Sequence, residues 1–596
     1  MTEELIHQGK VIKYSNLKAL FENKPILFDY IVSEMKQQSL EDENNKKEEK
    51  LIGFEVEGMG IYEGKKDFVE AYIKFFFDVS QFWNYKKLQE VIGKRGVVES
   101  EDDFCQSGKN ALEISKDPKN NIKFTDYAKL KNCWLYTKIG NVPRLDKIKA
   151  VCKDLKIEMK PINIGILGLG TVGGGTATVL QRNAEEIERR AGRAINLLVA
   201  SVRDLDKPRD IDASKVQLTL DSESIVNNPE VDIVVELIGG TDLARQLVMQ
   251  AIENGKHVVT ANKALIALHG NEIFAAATEK GVTVAYEAAV AGGIPIIKAL
   301  REGLSANHIE WLAGIINGTG NFILTEMRDK GRDFADVLKE AQELGYAEAD
   351  PTFDVEGIDA AHKLVILASL AFGMPLQFDS VFTEGISKVE PQDVIYAQEL
   401  GYRIKHLGIA SRSPQNGGIA LRVHPTLIPE KRLIANVDGV MNAVLVNGDA
   451  VGPTLYYGPG AGAEPTASSV IADVVDLART LTATPEHRVP HLGFQPDKLN
   501  DFDMLPISEV ETAYYLRFSA LDTPGVLSKI TQILSDAKIS VEAVIQKEPG
   551  AGEDHVPLII LTDRVIEKSL DSAVTQIQQM DSIAGEITKI RVEALG

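Results

Sequence analysis

Short apolar runs alternate with amphipathic helical stretches in the second quarter of the chain. The helical stretches include residues 243–254, and the apolar runs cover residues 162–169, 195–202, 231–238, 257–260 and 282–286. Apolar runs of about four to eight residues are typical of buried parallel strands, and strands that alternate with helices form a doubly wound sheet. The pattern therefore predicts an α/β domain built on a parallel sheet over residues 159–305.

The pattern of apolar positions changes twice more towards the C-terminus. From residue 306 to about residue 494, longer amphipathic helices are mixed with a few strands, which predicts an α+β domain. The acidic, proline-bearing stretch 495–506 is typical of a linker. From residue 512 to residue 596, the order strand, helix, strand, strand, helix, strand predicts a compact third domain.

Composition separates the first 158 residues from the rest. They contain 27 basic and 27 acidic residues, so the remaining 438 residues carry all of the formal net charge of −21. All three cysteines and aromatic runs such as residues 71–77 also lie in this part. We predict an additional N-terminal α+β domain of separate origin over residues 1–158. No motif there indicates its function, and an interaction domain and a second enzymatic domain both stay open.

Charge and hydropathy exclude several classes of protein. The acidic character of residues 159–596 argues against a nucleic-acid partner, because binding to nucleic acid requires a basic face. The longest apolar run, residues 364–374, is shorter than the roughly 20 residues that a membrane span needs. The first residues, MTEELIHQGK, lack the pattern of a secretory signal, and three cysteines form neither a disulfide framework nor a metal-site spacing. We therefore expect a cytoplasmic protein with reduced thiols and no membrane partner.

A glycine-rich motif follows the first apolar run and opens a helical pattern that becomes clear near Thr176. Glycines at such a turn let backbone N–H groups approach a pyrophosphate at the positive end of the helix. The placement predicts dinucleotide binding on a Rossmann-type sheet, although a tight structural turn would also use glycine. The motif residues are Gly168, Leu169, Gly170, Thr171, Val172 and Gly173.

Basic residues follow the second apolar run, where a dinucleotide-binding domain contacts the adenosine ribose. Arg203, Lys207 and Arg209 would lie where NADP carries its 2′-phosphate. This favours NADP, while NAD stays possible. A solvated charge cluster that includes Asp204 is the alternative interpretation.

Two lysines and an acid are candidates for acid–base chemistry. Lys263 follows an apolar strand and is expected at the carboxyl edge of the sheet, where cofactor and substrate meet. Asp359 and Lys363 are four residues apart and hence share one face of a helix. A surface lysine and a solvated ion pair are the structural alternatives. Hydride transfer between an alcohol and an aldehyde needs a proton shuttle at the oxygen, which a lysine with a tuned pKa supplies.

Five segments together give the chain a specific resemblance. In order and spacing, residues 159–596 resemble homoserine dehydrogenase in the segments ILGLGTVGGGT, VVTANKALIA, YEAAVAGGIPII, GIINGTGNFILTEM and GYAEADPTFDVEGIDAAHKL. The resemblance implies reversible NAD(P)H-dependent reduction of L-aspartate 4-semialdehyde to L-homoserine, in threonine, methionine and isoleucine biosynthesis.

The resemblance also assigns roles to individual residues. It implies that Lys363 is the acid/base at the homoserine hydroxyl, that Asp359 orients it and that Lys263 lies near the nicotinamide and the reacting oxygen. Glu348 would hold the substrate amine, and Asp354 matches a further acid of the family signature.

A cation, a second glycine turn and an oligomer are implied in the same way. The cation is monovalent, sodium being the expected one, and its ligands would lie at Glu287, Val290, Gly292 and Ile294. Gly462, in the turn 460–463, would close on the dinucleotide from a segment near 455–490 that completes the Rossmann domain. On the residues alone, this turn could equally be a structural helix start. Residues 306–494 would bind substrate and form the contacts of a homodimer or homotetramer.

The C-terminal domain, residues 512–596, resembles the ACT domain, a ferredoxin-like regulatory module. The resemblance lies in a strand end that turns into a helix, and the turn presents backbone N–H groups that can hold an amino-acid carboxylate. Threonine is the effector that we expect, whereas a domain that serves only dimer contact is the alternative. The residues of this turn are Asp522, Pro524, Gly525 and Val526.

Three other classes of protein differ from this sequence in the residues that they need. A phosphorylating semialdehyde dehydrogenase needs a cysteine nucleophile, and residues 159–596 contain none. An aspartate kinase fused at the N-terminus would need more than 158 residues and a phosphate-binding start that is absent from this sequence. A non-catalytic amino-acid sensor would keep the ACT domain but would not need the two lysines and Asp359.

Overall fold

The computed structural model describes residues 161–209, 211–212, 216–481, 488–548 and 554–596. The chain divides into two compact units, Met1–Pro161 and Ile162–Gly596. In the first unit, only the backbone of two antiparallel hairpins is described: Glu4–His7 pairs with Lys10–Lys13, and Gly53–Val56 pairs with Gly60–Glu63. The rest of the predicted N-terminal domain, including the cysteines and the aromatic run 71–77, lies outside the described residues.

The second unit begins with a six-stranded parallel sheet in the order β6-β5-β4-β1-β2-β3, which confirms the predicted doubly wound fold. Its strands are β1 Ile162–Leu167, β2 Ile195–Ser201, β3 Gln217–Thr219, β4 Ile233–Glu236, β5 His257–Thr260 and β6 Val284–Ala285. The helices between them are α1 Thr171–Arg182, α2 Ala184–Ala191, α3 Ser222–Asn227, α4 Asp242–Glu253 and α5 Lys263–Lys280. The strand order reverses between β1 and β4, and ligands bind such sheets at the carboxyl ends of the strands beside this switch point.

The first helix starts earlier than the sequence pattern indicated. It begins at Thr171 rather than near Thr176. The apolar period was obscured because its first turns contain glycines that pack against backbone: a Cβ atom on Gly173 would lie 2.0 Å from the carbonyl oxygen of Gly168, and one on Gly175 would lie 2.6 Å from that of Ala463.

The next part of the chain forms the α+β domain. Its helices are α6 Ile296–Lys298, α7 Gly318–Lys330, α8 Phe334–Glu343, α9 Thr352–Val355, α10 Ile358–Phe372 and α11 Pro391–Glu399; the helix α12 Ala463–Thr480 follows them in the chain. Its strands are β7 Ile309–Ile315, β8 Phe382–Thr383, β9 Tyr402–Arg412, β10 Ile419–Pro429, β11 Met441–Gly448 and β12 Gly452–Pro459. Helix α12 packs against α1, and its apolar residues share a core with the parallel sheet, so this late segment belongs to the first domain.

Helix α10 connects the two domains. It packs on α5 on one side and on β9 and β10 on the other, and all of its residues except Ile358 are buried. This explains its nearly continuous apolar sequence. Because the N-terminal part of α10 carries Asp359 and Lys363, its packing on α5 brings these side chains towards Lys263 at the start of α5.

The C-terminal domain has the ferredoxin-like order predicted for an ACT domain. Its elements are β13 Glu511–Leu521, α13 Val526–Asp536, β14 Val541–Gln546, β15 His555–Thr562, β16 Val565–Ile566, α14 Glu567–Gln578 and β17 Ile583–Val592. The sheet order is β17-β13-β15-β14, and one face of the sheet is covered by α13 and α14.

The sheet of the C-terminal domain is continuous with the sheet of the α+β domain. Strand β17 pairs in parallel with β10 through Thr426 with Arg591 and Leu427 with Val592, which produces one 11-stranded sheet. The buried Arg591 guanidinium contacts Glu567 of the ACT domain and Glu384, which follows β8, at 2.6 Å. The face of the ACT sheet away from α13 and α14 is buried against α7 and α11. The C-terminal domain is therefore packed directly on the domain that carries Asp359.

Among the described residues, no helix is both long and apolar enough to cross a membrane.

Candidate active site

The glycine-rich turn after β1 is closed towards the sheet and open on its other side. Gly168 has a φ of +93°, and a Cβ atom there would lie 2.9 Å from the Ile238 side chain. Gly173 packs on the carbonyl oxygen of Gly168, whereas a Cβ atom on Gly170 would have no atom within 4 Å. The backbone can therefore approach a ligand at Gly170.

The start of α1 has the properties of an anion site. Its N-cap residue is Gly170, no side chain caps the first turn, and that turn contains no acid, so the N–H groups of Thr171 and Val172 have no acidic neighbour there. Such N–H groups, with the positive end of the helix dipole, favour phosphate. Gly462, with a φ of +121°, begins α12 beside α1, and its helix start also lacks a side-chain cap.

The predicted 2′-phosphate site contains two exposed cations, Arg203 and Lys207, for which no side-chain hydrogen bond or ion pair is found within the described part of the chain. Arg209 instead donates to the carbonyl oxygens of Lys207 at 2.7 Å and Asp204 at 2.5 Å, so its side chain stabilises the loop to which it belongs. The geometry leaves Arg203 and Lys207 as the candidates for phosphate, and Arg203 is the nearer of the two to the end of β2 in sequence.

A buried carboxylate joins the two candidate lysines. The Lys263 Nζ lies 2.9 Å from Oδ1 of Asp359, and the Lys363 Nζ lies 2.7 Å from its Oδ2. Lys363 also donates to the carbonyl oxygen of Ile316 at 2.7 Å. Asp359 is 3% exposed and Lys363 is 9% exposed, whereas the side chain of Lys263 is 37% exposed. The three groups therefore form a cluster that opens to solvent on the Lys263 side.

The protonation equilibria of the cluster are strongly coupled. Burial alone would raise the pKa of Asp359, but the Lys363 and Lys263 ammonium groups hold it well below its ordinary value. Burial lowers the pKa of Lys363; Asp359 opposes this shift, while Lys263 adds to it. Burial also acts to lower the pKa of Lys263, yet Asp359 outweighs it and the pKa is raised. Lys363 is thus the lysine that loses its proton more readily.

The two candidate substrate-binding acids border this cluster. Asp354 is half-buried, and burial raises its pKa although the Asn317 amide opposes the shift. Glu348 is exposed, and its charge, like that of Asp354, contributes to the raised pKa of Lys263. Carboxylates beside an open site can bind an ammonium group.

Sequence reasoning missed Asn317, which organises the acids. Its side-chain Nδ2 donates to Oδ1 of Asp354 and to Oδ2 of Asp359, both at 2.8 Å, while its Oδ1 accepts from the N–H of Gly320 at 2.7 Å and caps α7. An asparagine followed by Gly-Thr-Gly before an apolar helix is a helix-start signal that could have revealed the cap.

The predicted cation ligands lie in one buried turn. The carboxylate of Glu287 accepts from the N–H groups of Ile297 and Lys298, both at 2.9 Å, and the Glu287 N–H donates to Asp473 at 2.7 Å. Burial and the neighbouring Asp473 raise the pKa of Glu287 to about 7. A pair of buried acids is an environment that a cation stabilises. The other predicted ligands follow in this turn: Val290, Gly292 and Ile294.

The predicted effector turn begins helix α13. Gly525, with a φ of +96°, is its N-cap, no side chain caps the helix, and a Cβ atom there would meet nothing within 4 Å. Asp522 accepts from the Gln546 side chain at 3.1 Å. Pro524 and Val526 flank Gly525. The turn is open on the side where an anionic effector group would bind.

The parallel sheet, its glycine turn and the lysine–aspartate cluster at the sheet's carboxyl edge define a dinucleotide-dependent oxidoreductase. Family models match in the same order: "Homoserine dehydrogenase, NAD binding domain" over residues 168–287, "Homoserine dehydrogenase" over 295–475 and "ACT domain" over 514–581. The chain belongs to the homoserine dehydrogenase family.

Relatives and solved structures agree with this assignment. Homoserine dehydrogenase of Pseudomonas aeruginosa is 64% identical over 437 residues, which are 73% of this chain and 100% of that protein. The enzyme of Neisseria gonorrhoeae is 56% identical over the same shares of the two chains. The crystal structure of a homoserine dehydrogenase from Thiobacillus denitrificans superposes with a TM-score of 0.69 at 65% identity, covering 73% of this chain and 99% of the other.

Proposed function

We propose that the unit Ile162–Gly596 catalyses the reversible NAD(P)-dependent oxidation of L-homoserine to L-aspartate 4-semialdehyde, a step that serves threonine, methionine and isoleucine biosynthesis. The main support is the buried cluster of Lys263, Asp359 and Lys363 at the carboxyl edge of a dinucleotide-binding sheet. Family membership supports the same reaction.

Bound NAD(P), held at the glycine turn of Gly168, Gly170 and Gly173, would supply the acceptor for the hydride that leaves the hydroxymethyl carbon of homoserine. Lys363, as a neutral amine, takes the hydroxyl proton, so the carbon–hydrogen and oxygen–hydrogen bonds break and a carbonyl forms. Asp359 holds the Lys363 Nζ in place and stabilises the ammonium group that results. Lys263, whose pKa is raised, stays protonated and donates to the reacting oxygen. In the reductive direction, Lys363 returns the proton.

The acids beside the cluster bind the other end of the substrate. Glu348 receives the homoserine ammonium group because its carboxylate is exposed at the open side of the cluster. Asp354, held by Asn317, contributes a second negative charge. Two carboxylates at this position favour an amino acid over a simple alcohol.

The pKa of Lys363 determines the pH dependence that we expect. Its pKa lies below the ordinary value of a lysine, about 10.4, so the neutral amine becomes abundant as pH rises towards that value. Oxidation needs the neutral amine and should accelerate with pH, whereas reduction needs the ammonium group and should slow over the same range. Profiles of kcat/KM against pH in both directions test this. The oxidation profile should show an inflection at the lowered pKa of Lys363, and this inflection should be lost in Lys363→Arg. An unchanged inflection in that variant would contradict the assignment.

We also propose NADP as the preferred cofactor, with NAD accepted less well, because Arg203 is exposed and available at the end of β2. A hydrogen bond to a charged group contributes about 1.5–3 kcal/mol, so Arg203→Ala should raise the KM for NADP by about tenfold or more. The KM for NAD should change little because NAD lacks the 2′-phosphate, and NAD therefore serves as the internal control. An equal loss with both cofactors would show that Arg203 only supports the loop.

A monovalent cation, sodium being the expected ion, fits the turn that contains Glu287, Val290, Gly292 and Ile294. The Lys298 Nζ lies 3.4 Å from the buried Asp473 and 2.6 Å from Asp476, and its charge only partly offsets the raised pKa of Glu287. Among the described residues, no group of three His, Cys, Asp or Glu side chains forms a metal site, so backbone carbonyl oxygens would supply most ligands. The ion would fix the turn beside α12.

We propose threonine as a feedback inhibitor that binds at the turn of Asp522, Pro524, Gly525 and Val526. The open, uncapped helix start supports binding of its carboxylate. Millimolar threonine should lower the rate of homoserine formation, and Gly525→Val should weaken this inhibition while leaving the uninhibited rate unchanged, because the turn is outside the catalytic cluster. If the rate does not change up to millimolar threonine, the feedback proposal is wrong and the domain serves only dimer contact.

We further propose that the enzyme is a homodimer or a homotetramer. Strand β12 forms an edge of the 11-stranded sheet, and Tyr457 on this strand is exposed. An edge strand with exposed large side chains is suited to contact between subunits.

A further inference from the structure

A buried glutamate that lies outside the proton-transfer cluster ends strand β4. Glu236 is fully buried; its Oε2 accepts from the Thr260 hydroxyl at 2.6 Å, and its Oε1 accepts from the N–H of Ile238 at 3.0 Å. Within the residues that the structure describes, no basic side chain pairs with it. A buried acid without a cationic partner is costly, because the desolvation of the carboxylate is offset only by hydrogen bonds. Such a group calls for an explanation.

The hydrogen bonds of Glu236 lead to the start of α5. The Thr260 oxygen, while donating to Glu236, accepts from the N–H of Asn262 at 3.0 Å. The Asn262 side chain in turn accepts from the N–H of Leu265 at 3.1 Å, which caps α5, and donates to the carbonyl oxygen of Gly240 at 2.6 Å. The end of β4, the end of β5 and the first turn of α5 are thereby locked together.

Lys263 is the first residue of α5, immediately after Asn262. Its side chain reaches the buried Asp359 of the other domain, so a small rotation of the helix start would lengthen the 2.9 Å contact between Lys263 and Asp359. The network also fixes residues 237–240, where Gly239 and Gly240 have φ values of +74° and +71°. This loop leaves the sheet at the switch point where dinucleotides bind.

We infer that Glu236 is a positioning residue for hydride transfer, which acts through Thr260 and Asn262 to aim Lys263 at Asp359 and the reacting oxygen. The inference rests on the proposed function for its effect on turnover. The orientation of the Lys263 side chain is a property of the folded protein and is measurable without substrate. If Glu236 only supported the sheet, its replacement would change the stability of the protein without moving Lys263.

The central variant is Glu236→Gln in the full-length protein. The amide keeps the size of the side chain but replaces one acceptor oxygen with a donor nitrogen, so Thr260 and Ile238 cannot both keep their acceptors. We expect kcat to fall by about 10- to 100-fold, as a displacement of about 1 Å can cause. In the Lys263→Ala background, Glu236→Gln should cause no further fall, because the group that it positions is absent.

Two threonine variants keep the test valid if Glu236→Gln does not fold. Thr260→Ser retains the hydroxyl and should retain wild-type kcat, whereas Thr260→Val should behave like Glu236→Gln. The matched control is Lys256→Met, at the other end of β5. Lys256 is also buried and donates to the carbonyl oxygens of Asn228 at 2.6 Å and Val231 at 2.8 Å. Its loss should lower the melting temperature and leave kcat unchanged.

A second measurement separates this inference from the proposed reaction. Trace acetylation with acetic anhydride, read by mass spectrometry, reports how accessible and how basic the Lys263 amine is without any substrate. Its reactivity should rise by at least about twofold in Glu236→Gln and in Thr260→Val, because groups in one hydrogen-bond network are coupled by about 0.5 kcal/mol or more. It should stay unchanged in Lys256→Met.

The outcomes are distinct. If wild-type protein does not oxidise L-homoserine, the proposed function fails, and the labelling of Lys263 still decides the role of Glu236. Unchanged labelling in Glu236→Gln and Thr260→Val, or equal loss of kcat in the wild-type and Lys263→Ala backgrounds, overturns the inference.

Discussion

Replacing Lys363 with methionine is expected to lower kcat for L-homoserine oxidation by about 10²- to 10⁴-fold, the contribution of a general acid–base group. The Kd for the dinucleotide should change little, because Lys363 lies on α10, outside the parallel sheet and its glycine turn. The variant should fold, since Asp359 keeps contacts with Lys263 at 2.9 Å and Asn317 at 2.8 Å. Steady-state kinetics and dinucleotide fluorescence measure the two quantities.

A second buried lysine provides the control for this substitution. The Nζ of Lys405 donates to the carbonyl oxygen of Val437 at 2.6 Å and to Asp438 at 3.0 Å, and Lys405 makes no contact with Asp359 or Lys263 among the hydrogen bonds and ion pairs of the described residues. Lys405→Met should destabilise the protein without a comparable fall in kcat. If both variants lose activity equally, the effect of Lys363→Met reflects folding and the assigned role is wrong.

Substituting alanine for Gly173 is expected to abolish tight dinucleotide binding. The added Cβ atom would lie 2.0 Å from the carbonyl oxygen of Gly168, so the helix start must move away from the turn. Overpacking of this kind lowers the free energy of unfolding by about 1–3 kcal/mol. Because α1 then no longer presents its N–H groups beside Gly168, the Kd should rise by about 100-fold, a loss of about 2.7 kcal/mol. Calorimetric titration with NADP measures it.

The neighbouring glycine is the matched control. A Cβ atom on Gly174 would meet nothing within 4 Å, and its position is also helical. Gly174→Ala should raise the free energy of unfolding by about 0.5–1 kcal/mol, because alanine favours the helix, and should leave the Kd nearly unchanged. Equal weakening of binding by the two variants would contradict the packing argument.

The sequence alone was sufficient to predict the parallel sheet and the main candidate residues of the site. Short apolar runs, of a length typical of buried strands, predict the parallel sheet. The glycines Gly168 and Gly173 after the first run predict the turn. Both predictions succeed because they depend on local sequence. The spacing of Asp359 and Lys363 predicts a shared helix face, and the structure places their charged atoms 2.7 Å apart. The roles of these residues in catalysis stay predictions.

Contacts between segments that are far apart in the chain could not be predicted from the sequence. Nothing local to Lys263 indicates that Asp359, nearly 100 residues later, pairs with it, because that contact depends on how α10 packs on α5. Asn317 and Glu236 were missed for the same reason: each is recognisable as a cap or a strand-end acid, but its partners lie on other elements. The parallel pairing of β17 with β10 likewise joins segments that are separated by more than 150 residues.

Hydride transfer from L-homoserine to the nicotinamide is the central claim, and isotope transfer tests it most directly. Purified full-length protein would be incubated with NADP and L-homoserine deuterated at the hydroxymethyl carbon. We predict growth of reduced-nicotinamide absorbance, deuterium in the recovered NADPH, and loss of both in Lys363→Met. Failure of L-homoserine to reduce either NADP or NAD, in a preparation that binds the dinucleotide, would contradict the account.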